Sequence, residues 1–314
     1  MFAARCLGIS LAFFVLLYVP LSLAVSRGWR FVVAFLKPSS ARRTADLLFA
    51  LRLLPFAVGL AFTLIFTVPS FLLLEPRATN ESVGTLPVIL GIVCVMLLII
   101  GLRKTISAQI RTSRAIMKWL EGSTVMEPCA VVPVFRTGND APSLTVAGVR
   151  EPKVLVSEAA VAALNPAEMR AALKHELAHV RYYDNLKKLL FRFTVFPGMS
   201  ELEAAWGEQS EFAADDAAVN SIGDALDLAS ALIKVSRLKP AQPVPAVANG
   251  LLHSSTALSH RIQRLFCWKD SSASAPDPRI WYALPPAIVT CAVVAATYGS
   301  TIAQIHALTE WLVR

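Results

Sequence analysis

A chain of 314 residues that is 55% hydrophobic and only 17% charged is too apolar for an ordinary soluble domain, in which about a quarter of the residues are charged. Its mean hydropathy of +0.55 comes from long apolar runs set around a more ordinary central block, the pattern of an integral membrane protein with one soluble domain. The net charge of +8 does not mark a nucleic-acid binder, because many of the basic residues flank the apolar runs, where they set membrane orientation.

The first run, Cys6 to Val25, has spanning length. Ala24-Val25-Ser26 resembles a signal-peptidase site, but cleavage there would export Arg27, Arg30, Lys37, Arg42, Arg43 and Arg52 against the single acid Asp46. A segment so basic belongs on the cytoplasmic side, so the run is expected to stay as a transmembrane helix with its N-terminus outside. Within the basic loop, Arg42 to Leu54 carries Leu47, Leu48, Leu51 and Leu54 on one face. It fits a helix lying in the membrane interface, or equally a simple extension of the next span. Phe56 to Leu74 forms the second span, started by Pro55 and kinked at Pro69, and Glu75 to Thr85 forms a short external turn. Leu86 to Leu102 forms the third span, with Arg103, Lys104, Arg111, Arg114 and Lys118 behind it. Both sides of this hairpin give the same orientation, out, in, out, in. A last run from Trp281 to about Ile305 returns the chain to the outside, and Thr290, Thr297, Ser300 and Thr301 suit it to packing against protein. The expected organisation is a membrane region over 1–102, a cytoplasmic domain over 103–280 and a C-terminal span with a short tail over 281–314. The expected fold class is therefore a mostly α integral membrane protein with about four spans and an α+β domain inserted between the third and fourth.

In the soluble block, Arg103 to Leu120 should prolong the third span as a helix. Three segments of strand character follow, Ala130–Arg136, Ser143–Val149 and Lys153–Ser157, punctuated by Gly138-Asn139-Asp140 and Arg150-Glu151-Pro152 and expected as a small antiparallel sheet. Asn165-Pro166-Ala167-Glu168 is a helix start, with Asn165 as N-cap, Pro166 in the first position and Glu168 completing a capping box; the helix is expected to run to about Leu190. Lys239 to Pro245 reads as a loop and Ser271 to Pro278 as a linker.

That helix carries His175-Glu176-Leu177-Ala178-His179, an HExxH pattern. Its histidines lie four residues apart on one face, where two imidazoles can grip one Zn²⁺ while Glu176 reaches a water held by the metal. A hydrolytic zinc site needs a third protein ligand. Downstream, an alanine-rich helical stretch carries Glu211 and Asp215 four apart, with Glu208 on a similar face. Glu211 can ligate while Asp215 accepts a hydrogen bond from a ligand histidine; Glu208 is the rival ligand, and a solvated acidic helix face is the plainer alternative. The five cysteines are scattered without a CxxC spacing, which indicates neither a disulfide framework nor a cysteine zinc site. His253 and His260 lack ligand spacing to the motif, and His306 falls at the end of the last span.

Taken together, Val154 to Ser157, Leu164 to Glu168, His175 to Asn185 and Glu211 to Asp215 resemble the M56 (BlaR/MecR-type) membrane zinc metallopeptidases, which are related to the M48 group of HtpX and Ste24 proteases. Leu258 to Leu265, with Arg261-Ile262, resembles that family's late Arg-Ile segment. The resemblance implies a gluzincin site in which His175, His179 and Glu211 are zinc ligands, Glu176 is the base and Asp215 is an outer partner of a ligand. It also implies residence in the bacterial inner membrane. Two features depart from the pattern. No penicillin-binding sensor domain like that of the BlaR/MecR receptors is expected, and Tyr182-Tyr183-Asp184 stands where many members have Arg-Arg-Asp. Asp184 either orients a ligand or pairs with a nearby arginine, and the structural pairing is preferred.

The chemistry expected is peptide-bond hydrolysis, with Glu176 taking a proton from zinc-bound water and delivering it to the leaving amine. Tyr182, Tyr183 or His260 is available to stabilise an oxyanion. An extended protein or peptide substrate would pair with a sheet edge at Ser143–Val149. Three function classes follow: a membrane-tethered protease, a signal transducer that cleaves itself or a repressor, and an idle scaffold.

Overall fold

The computed structural model describes residues 2–75, 84–126, 132–238, 248–250, 255–268, 294 and 296–310. Most of the expected external turn, the Lys239 to Pro245 loop, His253, the Ser271 to Pro278 linker and the first half of the last apolar run lie outside them. Two compact units form, one from Met1–Arg27, Leu53–Ile99 and Ser271–Arg314, the other from Gly28–Arg52 and Ile100–Asp270. The basic segment expected to go with the membrane region folds with the second unit.

The protein is mostly helical. Among the described residues three stretches are long and apolar enough to cross a membrane: Phe2–Leu36, Ala41–Leu74 and Thr85–Leu120. The first is helix α1, which continues well past the expected end at Val25. It stops at Lys37, whose φ of 41° breaks the helical register, and Pro38 prevents its resumption. The second stretch comprises α2 (Ala41–Phe62), a π-helical turn (Thr63–Thr67) and α3 (Val68–Leu74). Pro55 lies inside α2 rather than at the start of a span. The disturbance expected at Pro69 is taken up by the π turn preceding it. Proline has no N–H to donate to the carbonyl four residues back, which is that of Ile65. The Tyr298 hydroxyl donates to that carbonyl at 2.9 Å, from the helical stretch 296–310. The third stretch, α4 (Thr85–Leu120), is continuous through the expected third span and its basic extension.

The second unit is built on a five-stranded mixed sheet, ordered β1 (Thr124–Val125), β2 (Val134–Thr137), β4 (Lys153–Ser157), β3 (Leu144–Ala147), β5 (Ala248–Gly250). The antiparallel expectation holds for β3 against β4, but β2 runs parallel to β4. The reason is burial. Val154, Leu155 and Val156 are fully buried, so β4 takes the centre, covered on both faces, and its hairpin partner β3 is pushed to one side of it. Val154 and Val156 face a core shared with Ala171 and Ala172 of α6 (Pro166–Arg181) and with Leu228 and Leu232 of α9 (Ile222–Arg237). Leu155 alternates to the other face, against Trp119 of α4. The expected substrate edge at Ser143–Val149 is occupied: Thr145, Val146 and Ala147 pair with β4 on one side and with β5 on the other.

Beyond α5 (Glu158–Ala163), α6 begins with the full capping box: the Asn165 side chain accepts from the Glu168 amide at 2.9 Å, and Glu168 Oε2 accepts from the Asn165 amide at 2.8 Å. The helix ends earlier than expected. Tyr183 adopts a left-handed conformation with φ of 55°, and α7 (Asp184–Phe193) starts in a new direction. The basic-loop end of α2 packs along this junction through one stripe of side chains. Arg42 lies over the Tyr182 ring at 3.9 Å, Asp46 Oδ1 meets Lys187 Nζ at 3.2 Å, and the rings of Phe49 and Phe191 are 5.7 Å apart. Fully buried Arg52 donates to Thr194 and to the Phe191 and Thr194 carbonyls. Of the leucines expected on one face, Leu48 is fully buried and Leu54 is exposed, and α2 continues without a break into the apolar stretch, as an extension of the span would. Helix α8 (Ser200–Ala218) follows and packs on α6, and α10 (Ser255–Phe266) packs on α8 and α9.

Candidate metal centre

His175 and His179 emerge from the middle of α6, where unbroken i,i+4 geometry stacks them on its buried face. Their Nε2 atoms are 3.2 Å apart. Glu211 of α8 closes a triangle, with Oε2 at 3.4 Å from His175 Nε2 and Oε1 at 3.6 Å from His179 Nε2. Zinc–ligand bonds of about 2.1 Å at a tetrahedral angle put donor atoms roughly 3.4 Å apart, so this triangle matches one face of a zinc tetrahedron. The three residues can hold a metal ion.

The outer ring nitrogens are fixed by carboxylates. Asp215 Oδ1 lies 2.9 Å from His175 Nδ1, and Asp184 Oδ2 lies 2.7 Å from His179 Nδ1. Each carboxylate accepts from the Nδ1–H of its imidazole and so leaves Nε2 as the nitrogen facing the centre, where a metal would displace any proton on it. Asp184 reaches His179 only because α6 breaks at Tyr183; in a continuous helix five residues would carry it about 140° away from the His179 face. Its partners here are His179 and Lys187 rather than an arginine.

Glu176 occupies the remaining side. Its Oε2 accepts from the Val146 amide of β3 at 2.9 Å, while Oε1 is buried and has no hydrogen-bond partner among the described residues. An orphaned carboxylate oxygen near three convergent donors is what a metal-held water would satisfy, so the residues present fit a zinc ion with an open position. Glu208 stays outside: three residues before Glu211, its side chain is 42% exposed and faces His260 at 3.5 Å. Of the three candidate oxyanion donors, Tyr182 is engaged by Arg42, while Tyr183 and His260 are exposed.

Two participating residues carried no role in the sequence reading. Asn185 donates to the Val146 and Gly148 carbonyls, bolting β3 to α7. Arg261 of α10 brings a buried guanidinium to Asp215 and Glu211. The Arg-Ile pair was the only signal for Arg261, and Asn185 had none beyond its place after Asp184.

Burial works against charge on both imidazoles, yet the carboxylates prevail. Glu211 and Asp184 push His179 up to about 10, and Asp215 and Glu211 push His175 up as well. Burial raises Glu176, with the two histidines opposing it. Burial would also raise Glu211 and Asp215, but Arg261 and the histidines hold Glu211 well below the usual range and Asp215 down to about 2. An acid-stability prediction follows. Because Asp215 is held at about 2 in the fold against about 3.9 when unfolded, its ionised form contributes about 2–3 kcal/mol above pH 4. That contribution is lost as pH falls from 4 through 2. Thermal melts of the wild type and Asp215→Asn should differ most above pH 4 and converge toward pH 2.

A second group, Glu75, His306 and Glu310, brings possible metal donors together in the other unit, but Arg5 already pairs with Glu75 at 3.0 Å. Compared with known families and with characterised proteins, the chain matches no family model and no characterised sequence.

Proposed function

We propose that the protein is a membrane-anchored zinc endopeptidase of the M56 type, with His175, His179 and Glu211 as ligands and Glu176 as general base. The observation that carries this reading is the donor triangle of 3.2, 3.4 and 3.6 Å together with Glu176 Oε1, which has no hydrogen-bond partner among the described residues. A zinc ion held there supplies Lewis acidity and a water acidified toward neutral pH. Asp215 and Asp184 keep His175 and His179 in the tautomer that presents Nε2. Glu176, anchored through Oε2 on Val146, uses Oε1 to accept the proton of the attacking water and passes it to the leaving amine. Substrates are protein or peptide segments in or near the cytoplasm, reached from a bacterial inner membrane crossed four times with both termini outside. The basic segments after the first and third apolar runs support this orientation.

Regulated proteolysis, in which the domain cleaves itself or a repressor in response to the membrane helices, is favoured by one observation. The α2 stripe of Arg42, Asp46, Phe49 and Arg52 grips the Tyr182–Thr194 segment, whose Asp184 orients His179.

Profiling new protein N-termini in membranes carrying the wild type or Glu176→Gln tests the proposal. The wild type should generate cleavage products that the variant lacks. Identical profiles, with zinc bound in both proteins, would refute a protease.

A further inference from the structure

We infer that Arg261 is the positioning residue of the centre: through Asp215 it fixes the tautomer of His175, and it holds Glu211 in its ligating rotamer. The inference rests on the zinc-site reading above. Arg261 is 2% exposed on α10. Its Nε donates to Asp215 Oδ2 at 2.8 Å and its Nη2 to Asp215 Oδ1 at 2.6 Å, a two-pronged grip that leaves the carboxylate one orientation. The same Oδ1 faces His175 Nδ1 at 2.9 Å. The other prong, Nη1, lies 3.0 Å from Glu211 Oε2. One rigid plane thus spans two carboxylates a helical turn apart on α8, a task for which a lysine ammonium has neither the reach nor the fork.

Stability alone does not account for it. Buried ion clusters are commonly no more stabilising than apolar packing of the same volume. Nor is the residue needed merely to dock α10, because Arg264, one turn along, clips the same helices together at the surface through Asp216 at 2.6 Å and the Phe212 carbonyl at 3.3 Å.

The test uses the full chain in detergent, with zinc affinity measured by chelator competition and ligand geometry by the visible spectrum of the cobalt-loaded protein. Arg261→Lys should weaken zinc binding by about 10–100-fold, the usual effect of losing an outer partner, and change the cobalt spectrum. Arg264→Ala should do neither. Asp215→Asn should weaken binding similarly, and its combination with Arg261→Lys should cost little more than the worse single change, because the two act in series. If Arg261→Lys does not fold, Arg261→Gln with Asp215→Asn, a neutral pair, keeps the comparison with Asp215→Asn alone. Wild-type affinity and spectrum in Arg261→Lys, or fully additive losses, would overturn the inference while leaving the zinc site intact. A wild type with no zinc that His179→Ala abolishes would overturn both.

Discussion

Glu211→Gln is expected to abolish zinc binding at the proposed centre, and Glu208→Gln to leave it at the wild-type level. The two glutamates lie on the same helix three residues apart and differ in what α8 packs against. Glu211 is buried against α6, with its oxygens 3.4 and 3.6 Å from the two imidazole nitrogens. Glu208 is rotated about 60° around the helix and one turn toward its N-terminus, beside exposed His260. Losing a ligand should exceed the roughly 100-fold loss that removing an outer partner can cause. Metal content after dialysis, normalised to protein, measures it directly. Equal retention by both variants would dismiss Glu211, and loss in Glu208→Gln alone would transfer the role to its neighbour.

Arg52→Met should destabilise the folded unit by about 2–4 kcal/mol, and Arg30→Met by less than about 0.5 kcal/mol. Both arginines pair with glutamates at the start of α8. The Arg30–Glu201 pair is 69% and 70% exposed, where water and salt screen it and two long side chains lose freedom to form it. Arg52 is buried. Besides Glu203 at 2.8 Å it satisfies the Thr194 hydroxyl and the Phe191 and Thr194 carbonyls, which close the end of α7 where a helix has no internal donors left. Methionine fills similar volume without replacing any donor, leaving buried carbonyls at about 1–3 kcal/mol each. Thermal unfolding in detergent, followed by circular dichroism, compares the two. A melting temperature for Arg52→Met as high as that of Arg30→Met would show that α2 is not held by this residue.

The parts of the site that were legible in sequence are those settled within one or two helical turns. Asn165, Pro166 and Glu168 form their capping box from backbone geometry alone, and His175 and His179 share a face for the same reason. The Glu211–Asp215 spacing was readable, but choosing Glu211 over Glu208 required knowing which stripe of α8 meets α6. The end of α6 was missed because Tyr182-Tyr183 contains neither glycine nor proline, and a left-handed tyrosine is a tertiary compromise rather than a local preference. The same break brings Asp184 to His179, one of the two roles that its place after the motif had left open. For Arg42 to Leu54 the sequence left two readings open, and α2 runs unbroken from Ala41 into the apolar stretch, as an extension of the span would. Leucine periodicity marked an apolar face, on which Leu48 is fully buried, but could not reveal the contacts of Arg42, Asp46, Phe49 and Arg52.

By itself, then, the sequence determined the apolar stretches, the charge bias beside them, the capped helix and the HExxH pair, because hydropathy and helical hydrogen bonding act over neighbouring residues. Only the tertiary structure decided the parallel placement of β2, the occupied edge of β3, the relief of Pro69 by Tyr298 and the arrival of Arg261 at Asp215 and Glu211. Those contacts join residues tens to hundreds of positions apart, and no local period encodes which distant side chain will neutralise a buried charge or fill an open hydrogen bond.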